Sequence, residues 1–398
     1  MKTNRHPIIA VSLCLSALLT AFGTVGMAAS SAPVNDSLNA DLTAPELAWS
    51  IVPSPRKIGA ASHLYGITAL SATEAWAVGD RESDEGSPLI YHWSSGRWSE
   101  SPAAPVPSSY LSDIVAISSN DIWAVGHQDN DGQADFSVTQ HWDGVAWVQV
   151  ASPNPSKDPF YGENYLAGVA AVASNDVWAV GYQETNTGYS ELLIHWDGAS
   201  WALFAPLPGG YRILRDVTAL ATNDVWAVGY SFTFKSGYQP LVMHWNGTQW
   251  ADIAAPTTQD GYSFFDSVTA LSSSDIWAVG YGGIPAEPLT AHWDGSGWAF
   301  VSSPNFPNGY AFLQNVTSLA SNDVWAVGYN LVGQSYQPLV EHWDGATWTT
   351  TTVPTVKHAS NQLYGIASDK AGGLWVAGYY YPRDFSKPIS TLILRGTP

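Results

Sequence analysis

The segment NDVWAVGY occupies residues 175–182 and recurs without change at residues 223–230 and 322–329. Four further copies with substitutions bring the number of units to seven. Their tryptophans lie 47 to 55 residues apart along the chain, at Trp76, Trp123, Trp178, Trp226, Trp277, Trp325 and Trp375. Self-similarity with this period is typical of repeat proteins, in which each unit is one small supersecondary element. The quoted segment therefore predicts a scaffold of seven similar units.

A second landmark follows in each of the first six units: a His-Trp pair, with one more tryptophan five residues later. Short runs rich in β-branched and aromatic residues lie around these landmarks, which is typical of strands. In the second unit the runs predict strands at residues 111–118, 122–127, 138–142 and 147–150. Asp143-Gly144 supplies a tight turn between the last two strands. Four antiparallel strands per unit, without helical periodicity, predict an all-β, seven-bladed β-propeller.

The two ends of the chain complement each other. The seventh unit stops near Gly396, where its third strand finishes, and it lacks the closing tryptophan strand of the other units. Residues 49–55, WSIVPSP, match the closing strand of the second unit at residues 147–153. We therefore expect the N-terminal strand to complete the last blade, which would hide sheet edges that otherwise favour aggregation. The propeller is predicted to span residues 47–398.

Residues 1–30 have the features of a secretory signal peptide. Lys2 and Arg5 precede an apolar run at residues 8–22, and small residues follow at 26–30. The apolar run is shorter than the about 20 residues that a membrane-spanning helix needs, so we expect no membrane insertion. Residues 31–46 are small, polar and proline-bearing, and they read as a linker. The sequence thus predicts a secreted, extracellular protein.

Composition excludes several kinds of chemistry. Cys14 is the only cysteine and lies in the predicted signal peptide, which excludes disulfides, thiolate metal sites and cysteine nucleophiles from the remaining chain. Without residues 1–30, the chain contains thirteen Lys and Arg residues and thirty-four Asp and Glu residues. Such a chain repels nucleic acid and anionic membranes. We expect a monomer whose partner is an extracellular glycan or protein.

The order of landmarks resembles a kelch-type repeat: a hydrophobic strand, a glycine, a variable loop, an aromatic-Asp turn, a tryptophan five residues on and a closing proline. The match covers residues 49–396 and departs where kelch repeats have Gly-Gly, since this chain has Val78-Gly79 and Val125-Gly126. The VWAV and HW segments also resemble tectonin-type lectin repeats, which are shorter. The Asp-Gly-x-x-Trp turn resembles a sialidase Asp-box with one residue missing. These resemblances imply the propeller fold.

The repeated polar residues are interpreted as parts of the scaffold. The six histidines of the His-Trp pairs lie on six different blades, so they cannot converge on one ligand, and buried polar groups need partners. The acids two residues before the repeated tryptophans are interpreted as turn caps. Function is therefore expected in the residues that do not repeat. The long connections, from second to third strand and from one blade to the next, all emerge on one side, which we call the loop face.

Aromatic residues cluster where the loop-face connections lead into the first strand of each blade. We predict that they surround the mouth of the central channel, together with two arginines, and bind a ligand. The candidate binding residues are Tyr65, Tyr110, Tyr165, Tyr211, Arg212, Arg215, Tyr262, Phe264, Tyr310, Phe312 and Tyr364, with Phe160 and Tyr161 in the same group. Aromatic platforms with polar neighbours suit carbohydrate, which is our prediction. The same rings could anchor a protein partner, which is the alternative.

A catalytic site has less support in the sequence. Sialidase chemistry would need three arginines from different blades, whereas Arg212 and Arg215 lie on one blade. A copper-radical oxidase of the kelch-propeller kind would need a cysteine. Loop acids are numerous enough to form a polysaccharide hydrolase or lyase pair, but nothing in the sequence singles out two of them. A binding module without enzymatic activity is therefore expected.

One loop of the second unit, HQDNDGQAD at residues 127–135, places three acids around a glycine. It resembles the calcium loops of FG-GAP propellers, although His127 stands where a further acid or amide is usual. Alternating acids supply the oxygen ligands that calcium requires. The candidate calcium ligands are Asp129, Asp131 and Asp135. The alternative, an acidic hairpin tip without metal, is favoured because one loop of seven carries the motif.

Overall fold

Strands are the regular structure of the described part of the chain, as the fold class predicts. The computed structural model describes residues 47–56, 59–82, 86–130, 133–157, 162–186, 188–306, 309–383 and 387–398. Within these residues, 28 strands pair into seven antiparallel sheets of four strands each. The assigned signal peptide and linker, residues 1–30 and 31–46, lie outside the described residues, as do Asp131, Phe160 and Tyr161.

The first four blades follow one another along the chain. Blade 1 contains β2 (Ser62–Ser71), β3 (Glu74–Arg81), β4 (Ser87–Ser94) and β5 (Arg97–Glu100). Blade 2 contains β6 (Ser109–Ser118), β7 (Asp121–Gln128), β8 (Phe136–Trp142) and β9 (Trp147–Val150). Blade 3 contains β10 (Asn164–Ala173), β11 (Asp176–Thr185), β12 (Gly188–Trp196) and β13 (Trp201–Phe204). Blade 4 contains β14 (Tyr211–Ala221), β15 (Asp224–Thr233), β16 (Gly237–Trp245) and β17 (Trp250–Ile253).

The last three blades include the one that both chain ends share. Blade 5 contains β18 (Ser263–Ser272), β19 (Asp275–Gly282), β20 (Glu287–Trp293) and β21 (Trp298–Val301). Blade 6 contains β22 (Ala311–Ala320), β23 (Asp323–Val332), β24 (Ser335–Trp343) and β25 (Trp348–Thr350). Blade 7 contains β26 (Ala359–Ser368), β27 (Leu374–Pro382), β28 (Ser390–Thr397) and β1 (Ala48–Ile51).

Strand β1 closes the ring, which confirms the prediction from the repeat. It pairs antiparallel with β28, so that Trp49 lies opposite Gly396. The Trp49 ring packs edge-on against Trp325 of blade 6, with ring centroids 5.8 Å apart. Because β1 belongs to the opposite end of the chain from β28, the N-terminal strand fastens the last blade and covers its edge.

The hydrophobic core lies between blades. The repeated tryptophan of each second strand is at most 3% exposed. In blade 1 this residue is Trp76, which contacts Trp142 and Trp147 of blade 2 at ring-centroid distances of 5.3 and 5.8 Å. The arrangement continues around the ring to Trp375 of blade 7, which contacts two tryptophans of blade 1. Each aromatic side chain of this size buries about 150–250 Å². The repeated tryptophan therefore holds neighbouring blades together.

The repeated histidine supports this tryptophan from within the same blade. In blade 2, His141 packs on Trp123 with ring centroids 4.4 Å apart, and its Nε2 lies 2.8 Å from Oδ1 of Asp121. The same pair recurs in blades 3 to 6 at 2.8–2.9 Å. Each of these acids therefore forms a hydrogen bond with the histidine of its blade, whereas the sequence had led to its interpretation as a turn cap. In blade 7, Arg395 replaces the histidine: it lies over Trp375 and pairs with Asp369.

The first strands of the blades contact one another in a closed inner ring around the channel. Each has a register shift after its buried Leu or Phe, such as the one between Leu64 and Gly66. Beyond the shift, side chains bond the next blade: Oδ2 of Asp113 accepts the Val169 N–H at 2.9 Å. A Cβ at Gly66 would lie 2.8 Å from the Asp113 Cα, so this approach requires glycine.

The outer part of blade 6 contains a carboxyl group without a cationic partner in the described structure. Glu341 on β24 is fully buried, and its Oε2 accepts the Ser303 hydroxyl at 2.5 Å. Burial raises the pKa of Glu341 to about 7. Blade 2 has Gln140 at the same repeat position, and its Oε1 accepts the Ala104 N–H at 3.0 Å. The repeat therefore contains an uncharged counterpart of this buried acid.

Deletion of residues 30–56 should destabilise the protein strongly. The deletion removes β1, exposes the β28 edge and takes away the Trp49 contact with Trp325. The deletion also removes the buried Leu47, and Trp49 is partly buried against the same core. Loss of such apolar side chains costs about 2–5 kcal/mol, and the open edge adds to this cost. Thermal unfolding followed by calorimetry checks the expectation. An unchanged melting temperature would contradict the role of β1 in ring closure.

Glu341→Gln should stabilise the protein above neutral pH. A carboxyl group whose folded-state pKa is raised contributes its stability below its ordinary pKa and loses it as pH rises through about 7. We therefore expect a gain on the order of 1–3 kcal/mol at pH 8 and little change at pH 4. Denaturant unfolding at both pH values measures this gain. The matched variant is Gln140→Glu, which should introduce the same loss in blade 2; equal pH profiles for all three proteins would refute the argument.

Candidate functional site

The loop-face mouth of the channel is lined by two repeat positions that pair with each other. One is on the first strand, directly before the buried Leu or Phe, and the other ends the WAVGY segment of the second strand. In blade 3 these positions hold Tyr165 and Tyr182, which pair across β10 and β11. In blade 5 they hold Phe264 and Tyr281. The last residue of the WAVGY segment therefore places an aromatic ring at the mouth in most blades.

These rings and their neighbours form a chain of contacts that we call the aromatic belt. Adjacent ring centroids are 4.4–6.5 Å apart, and half of the pairs meet edge to face, while the others are stacked or tilted. In order around the mouth, the belt consists of His127, Tyr165, Tyr182, Tyr189, Tyr211, Tyr238, Tyr230, Phe264, Tyr281, Phe312, Tyr329, Tyr364 and Tyr379. It runs from blade 2 through blade 7. Edge-to-face packing of this kind fixes ring orientation beyond simple burial.

The structure separates the candidate residues into two groups. Tyr165, Phe264 and Arg212 are buried, and each residue is at most 6% exposed. The others are partly exposed, and they are Tyr65, Tyr110, Tyr211, Arg215, Tyr262, Tyr310, Phe312 and Tyr364. Five of the tyrosines and phenylalanines in the prediction belong to the belt. Tyr65 and Tyr262 contact it from the side.

Arg212 lies at a blade interface and is held by carboxylates. Its Nε donates to Oε2 of Glu191 at 3.1 Å, and its two terminal nitrogens donate to Asp252 at 3.1 and 2.6 Å. Glu191 is 1% exposed, whereas the Asp252 side chain is half exposed. Sequence reasoning placed Arg212 at the ligand surface. The guanidinium instead joins blade 3 to blade 4.

Arg215 remains at the mouth, but it is also paired. It is the residue at the register shift of β14, and its Nε lies 3.2 Å from Oδ1 of Asp266 on the next blade. The second oxygen of Asp266 has no hydrogen-bond partner in the described structure. The Asp266 carboxylate, with Tyr230 and Tyr165, raises the pKa of Arg215 against the opposing effect of burial. Arg215 and Asp266 thus present a charge-neutral pair among phenols.

The belt phenols, and Tyr110 beside the belt residue His127, stay protonated at ordinary pH. Burial and the charge of nearby acids raise the pKa of Tyr110 to about 12, and burial raises that of Tyr230 to about 12. Burial also raises the pKa of Tyr364 and Tyr379 well above the ordinary value. The Tyr379 hydroxyl donates to the Tyr364 hydroxyl at 2.8 Å. A neutral phenol both donates and accepts hydrogen bonds, so these groups suit ligand hydroxyls.

Sequence reasoning missed the residues that interrupt the belt between blades 7 and 2. In blade 1 the two mouth positions hold His63 and Asp80, which pair with each other across β2 and β3. The His63 Nδ1 lies 3.1 Å from Oδ2 of Asp80, and both side chains are more than nine-tenths buried. Aligning the seven units position by position would have revealed this departure. The predicted cluster consisted of Tyr, Phe and Arg residues, so it included neither His63 nor Asp80.

The calcium loop is only partly within the described residues. Asp131 lies outside them, while Oδ1 of Asp135 accepts the Asn130 N–H at 3.4 Å. Burial raises the pKa of Asp135 to about 6. Among described residues, no group of three or more His, Cys, Asp or Glu is arranged to hold a metal ion. The calcium ligands Asp129, Asp131 and Asp135 stay a prediction.

Comparison with known proteins shows the fold. No protein-family model matches the chain, and no curated protein matches it. A structure of U3-55K is similar with a TM-score of 0.57 at 11% identity, covering 88% of this chain and 98% of that one. A structure of YCF48 bound to D1 peptide has a TM-score of 0.52 at 14% identity, covering 88% and 97%. Trypanosoma rangeli sialidase in complex with the inhibitor DANA has a TM-score of 0.50 at 10% identity, covering 75% and 56%.

These likenesses establish the propeller and nothing finer, because all identities are low. The kelch-type and tectonin-type resemblances stay predictions beyond the level of the fold. In the part of the chain that the structure describes, no helix has the length and hydrophobicity needed to cross a membrane.

Arg212→Ala should destabilise the protein rather than act on a ligand alone. The substitution leaves the Glu191 carboxylate buried without its cation, and breaking a buried pair in this way costs about 3–5 kcal/mol. Denaturant unfolding measures the loss. Asp252→Asn is the control, since this exposed partner should contribute no more than about 1 kcal/mol. If the Arg212→Ala and Asp252→Asn variants lose equally little stability, Arg212 is free for a ligand after all.

Proposed function

We propose that this protein is a secreted, non-catalytic binding module that recognises extracellular carbohydrate at its loop face. The observation that carries the proposal is the aromatic belt, which brings rings from six blades to one mouth. Tyr110, Tyr211, Tyr262 and Tyr310 border the mouth and are partly exposed. Carbohydrate recognition uses ring faces and edges for C–H groups, and phenols, carboxylates or guanidinium groups for hydroxyls. All of these groups occur together at the loop face.

The rigid setting of the rings favours binding over chemistry. Belt rings are packed against one another, so little conformational freedom is lost when a ligand arrives. Both arginines of the candidate set are neutralised by acids, at Glu191 and Asp252 for one and at Asp266 for the other. Neither guanidinium is therefore free to clamp a carboxylate in the way that the sialidase resemblance would require. The paired arginines support a module without glycosidase activity.

The expected affinity of one site is modest. A stacked ring and its hydrogen-bonding neighbour contribute about 1 kcal/mol, so a single contact corresponds to weak binding. Several contacts made by one polymer raise the apparent affinity without any new interaction type. The belt extends from blade 2 through blade 7, which gives a long oligosaccharide several places to engage. We therefore expect preference for polymers and long oligosaccharides over monosaccharides.

Substitution of Tyr211, Tyr262 and Tyr310 by Ala should weaken carbohydrate binding by about tenfold or more in a protein that still folds, with a lower melting temperature. The three residues are partly exposed and lie outside the interblade tryptophan core, but Tyr211 and Tyr262 pack against buried rings of the mouth. A glycan array on the protein without residues 1–30, followed by calorimetric titration of each hit, measures the effect. The control replaces exposed apolar residues away from the loop face, at Val145, Val148 and Leu203. Release of reducing ends from any polysaccharide would contradict the non-catalytic assignment.

A protein partner is the second candidate, and a separate observation favours it. Four apolar residues at or beside the second-to-third-strand connections are exposed around the outside of the loop face. They are Phe136 (43%), the first residue of β8, Val332 (50%), the last residue of β23, and Phe234 (101%) and Ile284 (66%) within connections. They belong to blades 2, 4, 5 and 6, so a protein partner that spans the loop face would contact several of them at once. The similar propeller YCF48 was solved bound to D1 peptide. This rim is distinct from the belt, so the two candidates use different residues.

Variants of the rim and of the belt distinguish these candidates. If the ligand is carbohydrate, replacing Phe136, Phe234, Ile284 and Val332 by Ser should leave glycan binding unchanged. If the ligand is an extracellular protein, the same replacement should abolish capture of that protein, while the Tyr211, Tyr262 and Tyr310 substitutions act less. Binding of one purified partner that depends on the rim, with no glycan retained, would replace the carbohydrate assignment.

A further inference from the structure

Blade 1 departs from the other six blades at the two mouth positions. The first-strand position holds His63 in blade 1, and in blades 2 to 7 it holds Tyr110, Tyr165, Ile213, Phe264, Phe312 and Gln362. The second-strand position holds Asp80 in blade 1, and in the others His127, Tyr182, Tyr230, Tyr281, Tyr329 and Tyr379. The scaffold does not require this exchange, since an aromatic pair fits the same register elsewhere. The acid–histidine pair therefore calls for a different explanation.

The pair has a defined geometry. The His63 Nδ1 and the Asp80 Oδ2 lie 3.1 Å apart, with side chains 8% and 4% exposed. A carboxylate in this position fixes the ring and favours the proton on Nδ1, which leaves Nε2 as an acceptor. No described residue forms a hydrogen bond with the His63 Nε2. One nitrogen of a buried imidazole is thus held by the protein, and the other is available.

Aromatic rings border the pair at the channel mouth. Tyr379 meets the His63 ring edge-on at 4.7 Å, and Tyr65 stacks on it at 6.1 Å. The Asp80 carboxylate contributes to the raised pKa of Tyr65, Tyr110 and Tyr165, behind burial in each case. These phenols come from blades 1, 2 and 3, so the charge of Asp80 acts on tyrosines of three blades. His63 and Asp80 form a polar notch in the aromatic belt.

The charges around the notch select the class of ligand. Of the described arginines on the loop side, Arg81 pairs with Glu100, Arg212 with Glu191 and Asp252, and Arg215 with Asp266. Arg56 and Arg383 are exposed and lie on the connections that follow β1 and β27. The notch itself holds the buried Asp80 carboxylate. A uronate, a sulfate ester or a sialic acid would place a second acidic group beside this carboxylate, and the two candidate arginines, Arg212 and Arg215, are already paired. The notch and its setting fit an uncharged, hydroxyl-rich ring.

We propose that His63 is the polar anchor of the loop-face site, that it binds a hydroxyl group of an uncharged pyranose, and that Asp80 positions it. This inference rests on the carbohydrate function proposed above and names its ligand class. The hydroxyl donates to the His63 Nε2, and the partly exposed Tyr65 borders the sugar ring. The buried Tyr379 packs against the His63 ring and holds it in place. Aromatic rings beside a fixed hydrogen-bond acceptor provide both the stacking surface and the orientation that sugar recognition needs.

The test compares four proteins without residues 1–30: the unsubstituted chain, His63→Gln, Asp80→Asn and His92→Gln. Glutamine is the residue of blade 7 at the His63 position, so this variant should fold. His92 faces Glu74 at the other end of the same blade, 4.0 Å away, and is the matched control. Calorimetric titrations use cellohexaose and mannohexaose as neutral probes, hexagalacturonate as an acidic probe and a glucosamine hexamer as a basic one. Thermal unfolding verifies each fold.

We expect a neutral hexasaccharide to bind the unsubstituted chain and His92→Gln equally, and His63→Gln to bind it about tenfold more weakly, the loss of roughly one hydrogen bond. Asp80→Asn should weaken binding comparably. It should also change the ¹⁵N chemical shifts of His63, which report the protonated nitrogen, whereas a purely structural role for Asp80 would leave them unchanged. In the unsubstituted chain the Nε2 signal should move on titration with the neutral sugar.

Three outcomes would overturn the inference, and they separate it from the proposed function. Unchanged binding in His63→Gln, with weaker binding in the Tyr211, Tyr262 and Tyr310 variant, removes the anchor and keeps the carbohydrate function. Preference for the acidic or the basic hexamer over both neutral ones refutes the ligand class and also keeps that function. Failure of every glycan to bind refutes the carbohydrate function and the anchor together.

Discussion

The structure depends on one contact, which is repeated around the ring. The tryptophan of each second strand packs against aromatic rings of the following blade, as Trp178 does against Trp245 and Trp250 at 5.2 and 5.3 Å. A four-stranded sheet alone exposes both faces and two edges, so its stability comes from stacking on its neighbours. The chain without residues 1–30 has no cysteine, and no disulfide can substitute for this packing. The histidine of each repeated histidine–acid pair packs against the tryptophan of its own blade, and Arg395 takes the place of this histidine in blade 7.

The tryptophan contact between blades recurs around the ring. The properties that distinguish this protein therefore lie in the residues that differ from one blade to the next. Some departures are structural. Asp113 fills the channel between two blades, where Gly66 leaves room for it. Others lie at the loop-face mouth, outside the interblade tryptophan core, and the His63–Asp80 pair is the clearest of these. Comparison of the seven blades with one another therefore identifies residues that the fold does not require, and these are candidates for function.

The aromatic belt combines two roles that are usually separate. Its rings are packed against one another and therefore stabilise the upper part of the blades. The same packing orients the partly exposed rings, such as Tyr211 and Tyr262, before any ligand arrives. A surface prepared in this way loses little entropy on binding. Buried members such as Phe264 contribute only through the rings that they support, which explains why the belt is larger than the surface that a ligand can reach.

The sequence by itself determined the number of blades, the four strands of each, the closure by residues 49–55 and the loop face. These features follow from local patterns, since strand alternation and turn residues act within a few positions of each other. It also located five of the thirteen rings of the aromatic belt. The tertiary structure alone decided which candidates remain available, because the partners of a side chain lie on other strands and neighbouring blades. Arg212 meets Glu191, 21 residues earlier, and Arg215 meets Asp266, 51 residues later, so neither pairing is visible in the local sequence.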